Sequence, residues 1–169
     1  MAKWSFNVAT WTPVAVADAT NFTDAGYCAL QGGSSTQRVN IYEIIMGGQA
    51  GSSAPAIFQF ARDSTVGASI TSLSSPNSAG PLDASTAALA APVVGFVASS
   101  TKPQRSSSVT LGKLNLSFNA FAGFVKWRAD HGEEFSTIGA SASLGEVSLS
   151  AFTGGSPGLL GSHILFEPL

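Results

Sequence analysis

The chain has 169 residues and a mass of 17.2 kDa, which predicts one domain spanning residues 1–169. Only 11% of the residues are charged, and the net charge is −2, so the chain lacks the basic stripe that a nucleic-acid partner requires. No apolar run approaches the roughly 18 residues of a membrane-spanning helix, and 11 Phe, 3 Trp and 2 Tyr argue against a disordered chain.

The N-terminus and the single cysteine indicate where the protein is made. The first residues lack the basic segment and the apolar run of a signal peptide, so we expect synthesis in a host cytoplasm. Cys28 is the one cysteine of the sequence, which excludes an internal disulfide and a zinc cluster. We therefore expect neither a nucleic acid nor a membrane as partner.

Alternation of apolar and polar residues dominates the first half of the chain. It predicts strands over residues 4–8, 26–30, 38–46, 56–62 and 66–73. Glycine- and serine-rich turns follow the second and third of these segments.

The middle of the chain reads as two loop insertions separated by a strand over residues 93–97. The first, 74–92, is rich in Ser, Pro and Ala. It contains one predicted short helix at 83–91, which Asp83 would cap and Pro92 would end. The second, 99–108, carries Lys102 and Arg105 and is predicted to be an exposed arm.

The last third returns to strand, with predicted elements over residues 109–118, 122–129, 138–144, 146–152 and 163–166. The first of these changes phase at Gly112, which is typical of a β-bulge. Many short strands with turns between them, and at most one short helix, predict an all-β fold. We expect an antiparallel β-sandwich or jelly roll.

The N-terminal segment 1–12 carries three large aromatic residues, Trp4, Phe6 and Trp11. Chain ends fray unless they are tied down, so this segment is either an arm exchanged with a neighbouring subunit or an edge strand of the subunit's own sheet. The three aromatic residues, together with Lys102 and Arg105, are the candidate contacts to other protein subunits.

Two segments resemble serine-nucleophile motifs. Residues 154–158 match the nucleophile elbow around Ser156, but no Asp follows and Pro157 removes a needed backbone N–H, so a turn is favoured. Ser99 and Lys102 have the Ser-x-x-Lys spacing, but the adjacent proline favours a loop over the helical turn that this motif needs.

The densest polar cluster is residues 130–134, with Asp130, His131, Glu133 and Glu134. These side chains suit a hard divalent cation, but the calcium-loop spacing is absent and a solvated hairpin tip is favoured. His163 has no acidic neighbour before Glu167 and is expected to be structural. The sequence thus predicts no catalytic residue, no metal site and no cofactor, and a protein that is not an enzyme.

Several short segments carry a resemblance to one class of protein. They are residues 30–38, 41–44, 47–50, 52–55, 61–67, 87–92 and 101–106. In these segments the chain resembles small virion proteins of tailed bacteriophages. The resemblance implies a capsid decoration (cement) protein on the outer surface of the assembled head, which is β-rich, oligomeric and not an enzyme.

The partners that this resemblance implies are the major capsid protein and further copies of the chain. We expect a homotrimer, with a dimer as the alternative, because so apolar a chain with so little charge is poorly suited to a monomer. Two other functions remain open: a tail or fibre component, and a carbohydrate-binding jelly-roll module in which Trp4, Trp11 and Trp127 contact the sugar.

Overall fold

The computed structural model describes residues 3–23, 26–139, 143–154 and 157–169, which form fourteen strands and contain no helix. Accordingly, no helix able to cross a membrane occurs within these ranges. The strands are β1 (Trp4–Trp11), β2 (Tyr27–Gln31), β3 (Val39–Gly48), β4 (Pro55–Thr65), β5 (Ala68–Ile70), β6 (Ser78–Pro81), β7 (Val94–Phe96), β8 (Ser99–Thr101), β9 (Gln104–Arg105), β10 (Leu114–Asn119), β11 (Phe124–Arg128), β12 (Phe135–Ser136), β13 (Glu146–Gly154) and β14 (Leu160–Pro168).

Two antiparallel sheets make up the molecule. The first has the order β11-β3-β14-β1-β6, with β12 also paired to β3, and the second has the order β10-β4-β13-β2-β7, with β9 also paired to β4. Strands that follow one another in the chain, such as β1 and β2 or β3 and β4, occupy corresponding positions in opposite sheets. The prediction of an antiparallel β-sandwich is therefore confirmed, and the strand order is that of a jelly roll.

The core lies between the two sheets because alternate side chains of each strand point inward. On β1 these are Trp4, Phe6 and Val8, and on β14 they are Leu160, Ile164 and Phe166, which all belong to one buried cluster. Burial of each such side chain stabilises the fold by about 1.5–3 kcal/mol before entropy is counted. This cluster holds the two sheets face to face.

The N-terminal aromatic residues lie inside this core, which corrects the interpretation of segment 1–12 as an exchanged arm. Trp4, Phe6 and Trp11 are 6%, 1% and 5% exposed, and Trp11 donates a hydrogen bond from Nε1 to Ser162 Oγ at 2.7 Å. Strand β1 pairs with β14 on one side and β6 on the other, so it is not an edge strand either. Their burial leaves these three side chains no surface for a partner of the folded subunit.

The predicted helix at 83–91 is wrong. Asp83 Oδ1 does accept a hydrogen bond from the backbone N–H of Ser85 at 2.9 Å, but the result is a single turn closed by Thr86. Short helices depend on tertiary packing of an apolar face. Leu82 is exposed and Leu89 only half-buried, so this segment lacks such a face.

Two of the predicted strands also need correction. The segment 109–118 is paired only from Leu114 onward, because β9 already occupies the edge of β4 at Asp63 and Thr65. Val109 is left exposed in a turn, and Gly112 precedes the strand instead of forming a bulge within it. Residues 138–139 and 143–144 form no strand, and the rest of the predicted strand 138–144 lies outside the described residues.

Both predicted loop insertions contain paired strands. Within 74–92, β6 pairs with β1 and extends the first sheet. Within 99–108, β8 pairs with β5 and β9 pairs with β4. The segment 99–108 is therefore held against the second sheet, which corrects its prediction as an exposed arm.

Adjacent glycines at the end of β3 provide a local test of the fold. A Cβ added at Gly48 would lie 2.1 Å from the carbonyl oxygen of Ala120, whereas a Cβ at Gly47 would meet nothing within 4 Å. We expect Gly48→Ala to destabilise the protein by about 1–3 kcal/mol because backbone must move, and Gly47→Ala to change stability by less than about 0.5 kcal/mol. Urea denaturation of the two variants measures the difference, and equal midpoints would contradict the close approach.

Candidate functional site

The outward face of the second sheet carries a buried polar layer. On β13 the residues Glu146, Ser148 and Ser150 alternate with the core residues Val147 and Leu149, so they point away from the sandwich core, yet they are fully buried. On β4 the outward residues Gln59 and Asp63 are buried as well. Buried polar groups require partners, so this layer is a candidate functional site.

Three segments cover this layer, and we call them the cover: residues 12–23, 66–70 and 99–106. They contribute to a second apolar cluster, in which Val16 and Phe22 are buried with Tyr27 and Phe96 of the sheet. The backbone N–H of Phe22 donates to the carbonyl of Pro103 at 3.1 Å. Strands β5 and β8 of the cover pair with each other. The cover therefore shields the polar layer from solvent.

Asp63 and Glu146 form an acidic pair within the layer. In the ladder between β4 and β13, Val147 pairs with Arg62, so the next position in register places Glu146 opposite Asp63. Both residues are 0% exposed. Asp63 Oδ1 accepts a hydrogen bond from Ser148 Oγ at 2.6 Å, and Glu146 Oε2 accepts one from the backbone N–H of Gly67 at 2.9 Å.

Burial raises the pKa of both carboxyl groups, because desolvation disfavours their charged forms. The neighbouring Asp63 charge raises the pKa of Glu146 further, whereas hydrogen bonds and the charge of Arg105 partly oppose the increase at Asp63. Tyr27, which lies nearby on β2, also has a raised pKa, chiefly through burial. The acidic pair is thus biased toward holding a proton.

Arg105 of β9 places a buried, positively charged guanidinium group in this layer. Its guanidinium lies 5.3 Å from the ring of Phe22 and 5.4 Å from the ring of Phe152. It donates to the carbonyl of Val16, and its Nε lies 3.8 Å from Asp18 Oδ1. These contacts tie residues 12–23 to β9, so Arg105 connects two segments of the cover.

The position of Arg105 corrects its assignment as an exposed contact residue, since its side chain is 0% exposed. Lys102 is half-buried and donates from Nζ to the carbonyl of Ser99. The Ser99 hydroxyl lies 2.8 Å from the Tyr27 hydroxyl. Because the lysine contacts the Ser99 carbonyl and not its hydroxyl, the pair lacks the geometry of an activated nucleophile.

Burial determines which groups of this part of the sheet a substrate could reach and which stay protonated. Asp63, Glu146 and Arg105 have no exposed surface, so a substrate cannot contact them while the cover is in place. Cys28 is also buried, and desolvation raises the pKa of its thiol to about 12, so it stays protonated at neutral pH. The charged groups of the layer are therefore separated from solvent by the cover.

The polar cluster at 130–134 forms a turn, in which Glu133 N–H donates to the Asp130 carbonyl at 3.0 Å. Glu134 accepts from the backbone N–H of Gly132 at 3.1 Å. Hydrogen bonds from its own backbone N–H and from that of Gly132 lower the pKa of Glu134. His131 is fully exposed. Within the described residues, no group of three or more metal-ligating side chains occurs here or elsewhere.

The remaining candidates from the sequence are not brought together. Ser156 lies outside the described residues. His163 is half-buried on β14, opposite Asn7 and Ile45. Trp4 and Trp11 are buried, and Trp127 packs partly against the core, so these tryptophans do not form an exposed platform of the kind that the carbohydrate-binding interpretation requires.

The lining of the surface hollows does not indicate a particular class of ligand. One hollow, of about 420 Å³, lies between β5, β6 and β7 and is lined by hydroxyl, amide and aliphatic groups. A second hollow of about 250 Å³ has both signs of charge in its lining, with Lys3, Arg128, Glu134 and Glu167 among the lining residues. This mixed lining favours no ligand of a particular charge.

One end of the sandwich lacks charged residues, and we call it the neutral end: residues 47–55, 119–124 and 157–160. These three segments contain no Asp, Glu, Lys or Arg. Backbone hydrogen bonds join them, from Gly48 to Gly123 and from Gln49 to Leu159. Three large apolar side chains are exposed there, namely Phe121 at 52%, Phe124 at 74% and Leu159 at 45%.

The neutral end was not recognised from the sequence, although its signal was present. Each of the three segments is a charge-free stretch that contains Gly, and two of them also contain a large apolar residue. What links them is the jelly-roll topology, which places the ends of β3 and β10 and the start of β14 at the same end. Clustered exposed apolar groups at such an end are typical of interaction surfaces.

The fold and these two sites place the chain in the class of all-β jelly-roll sandwiches. No protein-family model, curated protein or solved structure matches it.

Proposed function

We propose that the chain is a non-enzymatic structural protein of a tailed-phage virion, which binds the outer surface of the assembled head and stabilises contacts between capsomers. The neutral end carries the proposal, because Phe121, Phe124 and Leu159 form an exposed apolar surface without charge. The resemblance of segments such as 61–67 and 101–106 to small phage virion proteins supports it. Jelly rolls occur in capsid, lectin and cupin proteins alike, so the fold by itself does not choose between them.

The energetics of such a role follow from mass action. A protein that binds the assembled shell, but not its dispersed subunits, stabilises the shell by the free energy of that binding. A symmetric lattice offers many copies of the same site, so individually weak contacts add through effective concentration. A surface with few charges suits this role because little charge must be desolvated when it is buried.

The proposed partners are the major capsid protein and further copies of this chain in a homotrimer. Copies that meet through the neutral end bring no like charges together, since residues 47–55, 119–124 and 157–160 contain no charged side chain. Apolar burial of Phe121 and Phe124 supplies the free energy of association. A ring of three subunits closes around one axis, which satisfies every copy of the interface.

A single substitution tests the trimer. We expect Phe124→Asp to convert the wild-type trimer to monomer at micromolar concentration, because a charge would enter an apolar interface. Leu82→Asp is the matched control: Leu82 is 56% exposed but follows β6, away from the neutral end, and this variant should remain trimeric. Size-exclusion chromatography with light scattering measures both. A monomeric wild type, or equal behaviour of the two variants, would contradict the interface.

The position in the particle needs a separate experiment. Immunogold electron microscopy of particles that carry the chain should place the label on the head surface. Label confined to the tail or fibres would replace the capsid role with that of a tail or fibre component. Specific binding to a glycan array, together with no label on the particle, would favour the carbohydrate-binding module instead.

A further inference from the structure

We propose that Asp63 and Glu146 hold one proton between them and that this proton keeps the cover closed over the second sheet, so that the cover loosens as the pH rises. The device is a property of the folded subunit and does not depend on the capsid role. It rests on the placement of two buried carboxyl groups and on the groups that face them.

The hydrogen bonding of the pair requires a proton. Asp63 Oδ2 and Glu146 Oε1 are buried, and no N–H or O–H donor of another described residue reaches either oxygen. Their partner oxygens, Asp63 Oδ1 and Glu146 Oε2, already accept from Ser148 and Gly67. The ladder between β4 and β13 places Asp63 and Glu146 opposite each other, and a hydrogen bond between their two remaining oxygens can form only when one carboxyl group is protonated.

The charges around the pair do not compensate a second negative charge. Arg105 of β9 faces Asp63 and also lies against Asp18 of the segment 12–23, and Asp18 is paired with Lys113 at 2.5 Å. The two cations therefore match the charge of Asp18 and the charge of one carboxylate of the pair. Tyr27 of β2 faces both carboxyl groups and is held neutral by burial. The protonated pair is therefore balanced, whereas a doubly ionised pair leaves one buried charge unmatched.

The cover is the part of the molecule that responds, because water reaches the second charge only if the cover opens. Gly67 of the cover donates its N–H to Glu146, and a Cβ at Gly67 would lie 2.6 Å from the Phe96 ring, so this segment packs directly over the pair. Tyr27 and Ser99 connect β2 to the adjoining β8. Residues 66–70 and 99–106 thus close the access to Glu146.

The direction of the pH dependence follows from linkage. A carboxyl group whose pKa is raised in the folded state binds a proton there that it has already lost in the unfolded state. Above the ordinary glutamate pKa of about 4.3, the folded state is therefore destabilised as the pH rises. For one proton, the unfolding equilibrium constant increases by as much as about tenfold per pH unit until the raised pKa is passed.

The variant Glu146→Gln mimics the protonated pair. Its amide oxygen can accept from Gly67 N–H, and its amide nitrogen can donate to Asp63 Oδ2. We expect the ratio of the wild-type to the variant unfolding constant to rise by at least about 30-fold between pH 5 and pH 8 in urea denaturation. Glu133→Gln removes an exposed carboxylate at the 130–134 turn and should leave the pH dependence unchanged.

Hydrogen–deuterium exchange locates the response. We expect amides of residues 66–70 and 99–106 to exchange faster in the wild type than in Glu146→Gln at pH 8, and at the same rate in both at pH 5. Comparison at equal pH removes the intrinsic pH dependence of exchange. Parallel pH–stability curves, or equal exchange of these segments at pH 8, would overturn the proposal.

Infrared spectroscopy of the wild type provides a test that does not require a variant to fold. A protonated carboxylic acid has a C=O stretch that ionised carboxylates lack, and we expect this band in the native protein at pH 7. It should disappear in Glu146→Gln. Absence of the band in the native wild type would show that no proton is shared, and the proposal would fail.

Discussion

Replacement of Phe6 by Ala is expected to lower the free energy of unfolding by about 3–5 kcal/mol, the range for truncation of buried aromatic side chains. Phe6 is 1% exposed. Its ring lies so close to Gly95 of β7 that an added Cβ there would come within 2.6 Å. The ring therefore fills space between the two sheets, and its loss leaves a cavity. Guanidinium or urea denaturation measures the effect.

The matched control is Phe124→Ala, the same chemical change at a side chain that is 74% exposed. Measured in dilute solution, this variant should change stability by less than about 0.5 kcal/mol, while it weakens association of the neutral ends.

Deletion of residues 1–11 should abolish cooperative unfolding, because β14 and β6 both lose a partner strand. A truncated protein that keeps its cooperative transition but fails to assemble would restore the arm interpretation.

Alternation within a strand is local information, and the strands that it predicted best are the long ones with a buried face. The predicted segments 38–46, 56–62 and 146–152 correspond to β3, β4 and β13. The pairing order of strands depends on contacts far apart in the chain, which periodicity does not encode. For this reason the sequence alone could not choose between a sandwich and a jelly roll.

The errors have the same origin. Residues 83–91 have the composition of a helix, but they lack neighbours on which to pack. Residues 109–113 alternate before the change of phase at Gly112, but the edge of β4 next to the start of β10 is paired with β9. The terminal position of β1 suggested fraying, whereas the fold places this strand between β14 and β6. In each case tertiary contacts decided the outcome.

Only part of the buried polar layer could be predicted from the sequence. Glu146 has the same parity as Ser148 and Ser150, which indicates that they share the outward face of β13. That this face is covered could not be inferred, because the cover includes residues 12–23, which are distant from β13 in the chain. Arg105 lies in a serine-rich segment and therefore resembled an exposed residue. Its burial depends on contacts with Phe22 and Phe152.

Substitution of Arg105 by Met tests how strongly the cover depends on its one buried cation. Methionine has a long, flexible side chain but no charge, so the variant preserves much of the packing and leaves Asp63 without its cationic neighbour. The Arg105 charge lowers the pKa of the buried Asp63 carboxyl group, so its removal leaves the Asp63 charge uncompensated, at a cost of up to about 3–5 kcal/mol. We expect a loss of that size at pH 8 in urea denaturation.

The loss should become smaller as the pH falls, because Asp63 can then bind a proton and its buried charge disappears. Arg128→Met is the control: the Arg128 side chain is 65% exposed, and its removal should cost less than about 0.5 kcal/mol.

A double substitution separates charge from packing. If the cost of Arg105→Met arises from the unpaired Asp63 carboxylate, then Arg105→Met combined with Asp63→Asn should be more stable at pH 8 than Arg105→Met alone, a non-additive result that a double-mutant cycle measures. If the cost arises instead from lost contacts with Phe22 and Phe152, Asp63→Asn will add its own penalty and the two effects will sum. Equal denaturation midpoints for Arg105→Met and Arg128→Met would contradict both accounts, since a fully buried guanidinium would then contribute no more to stability than an exposed one.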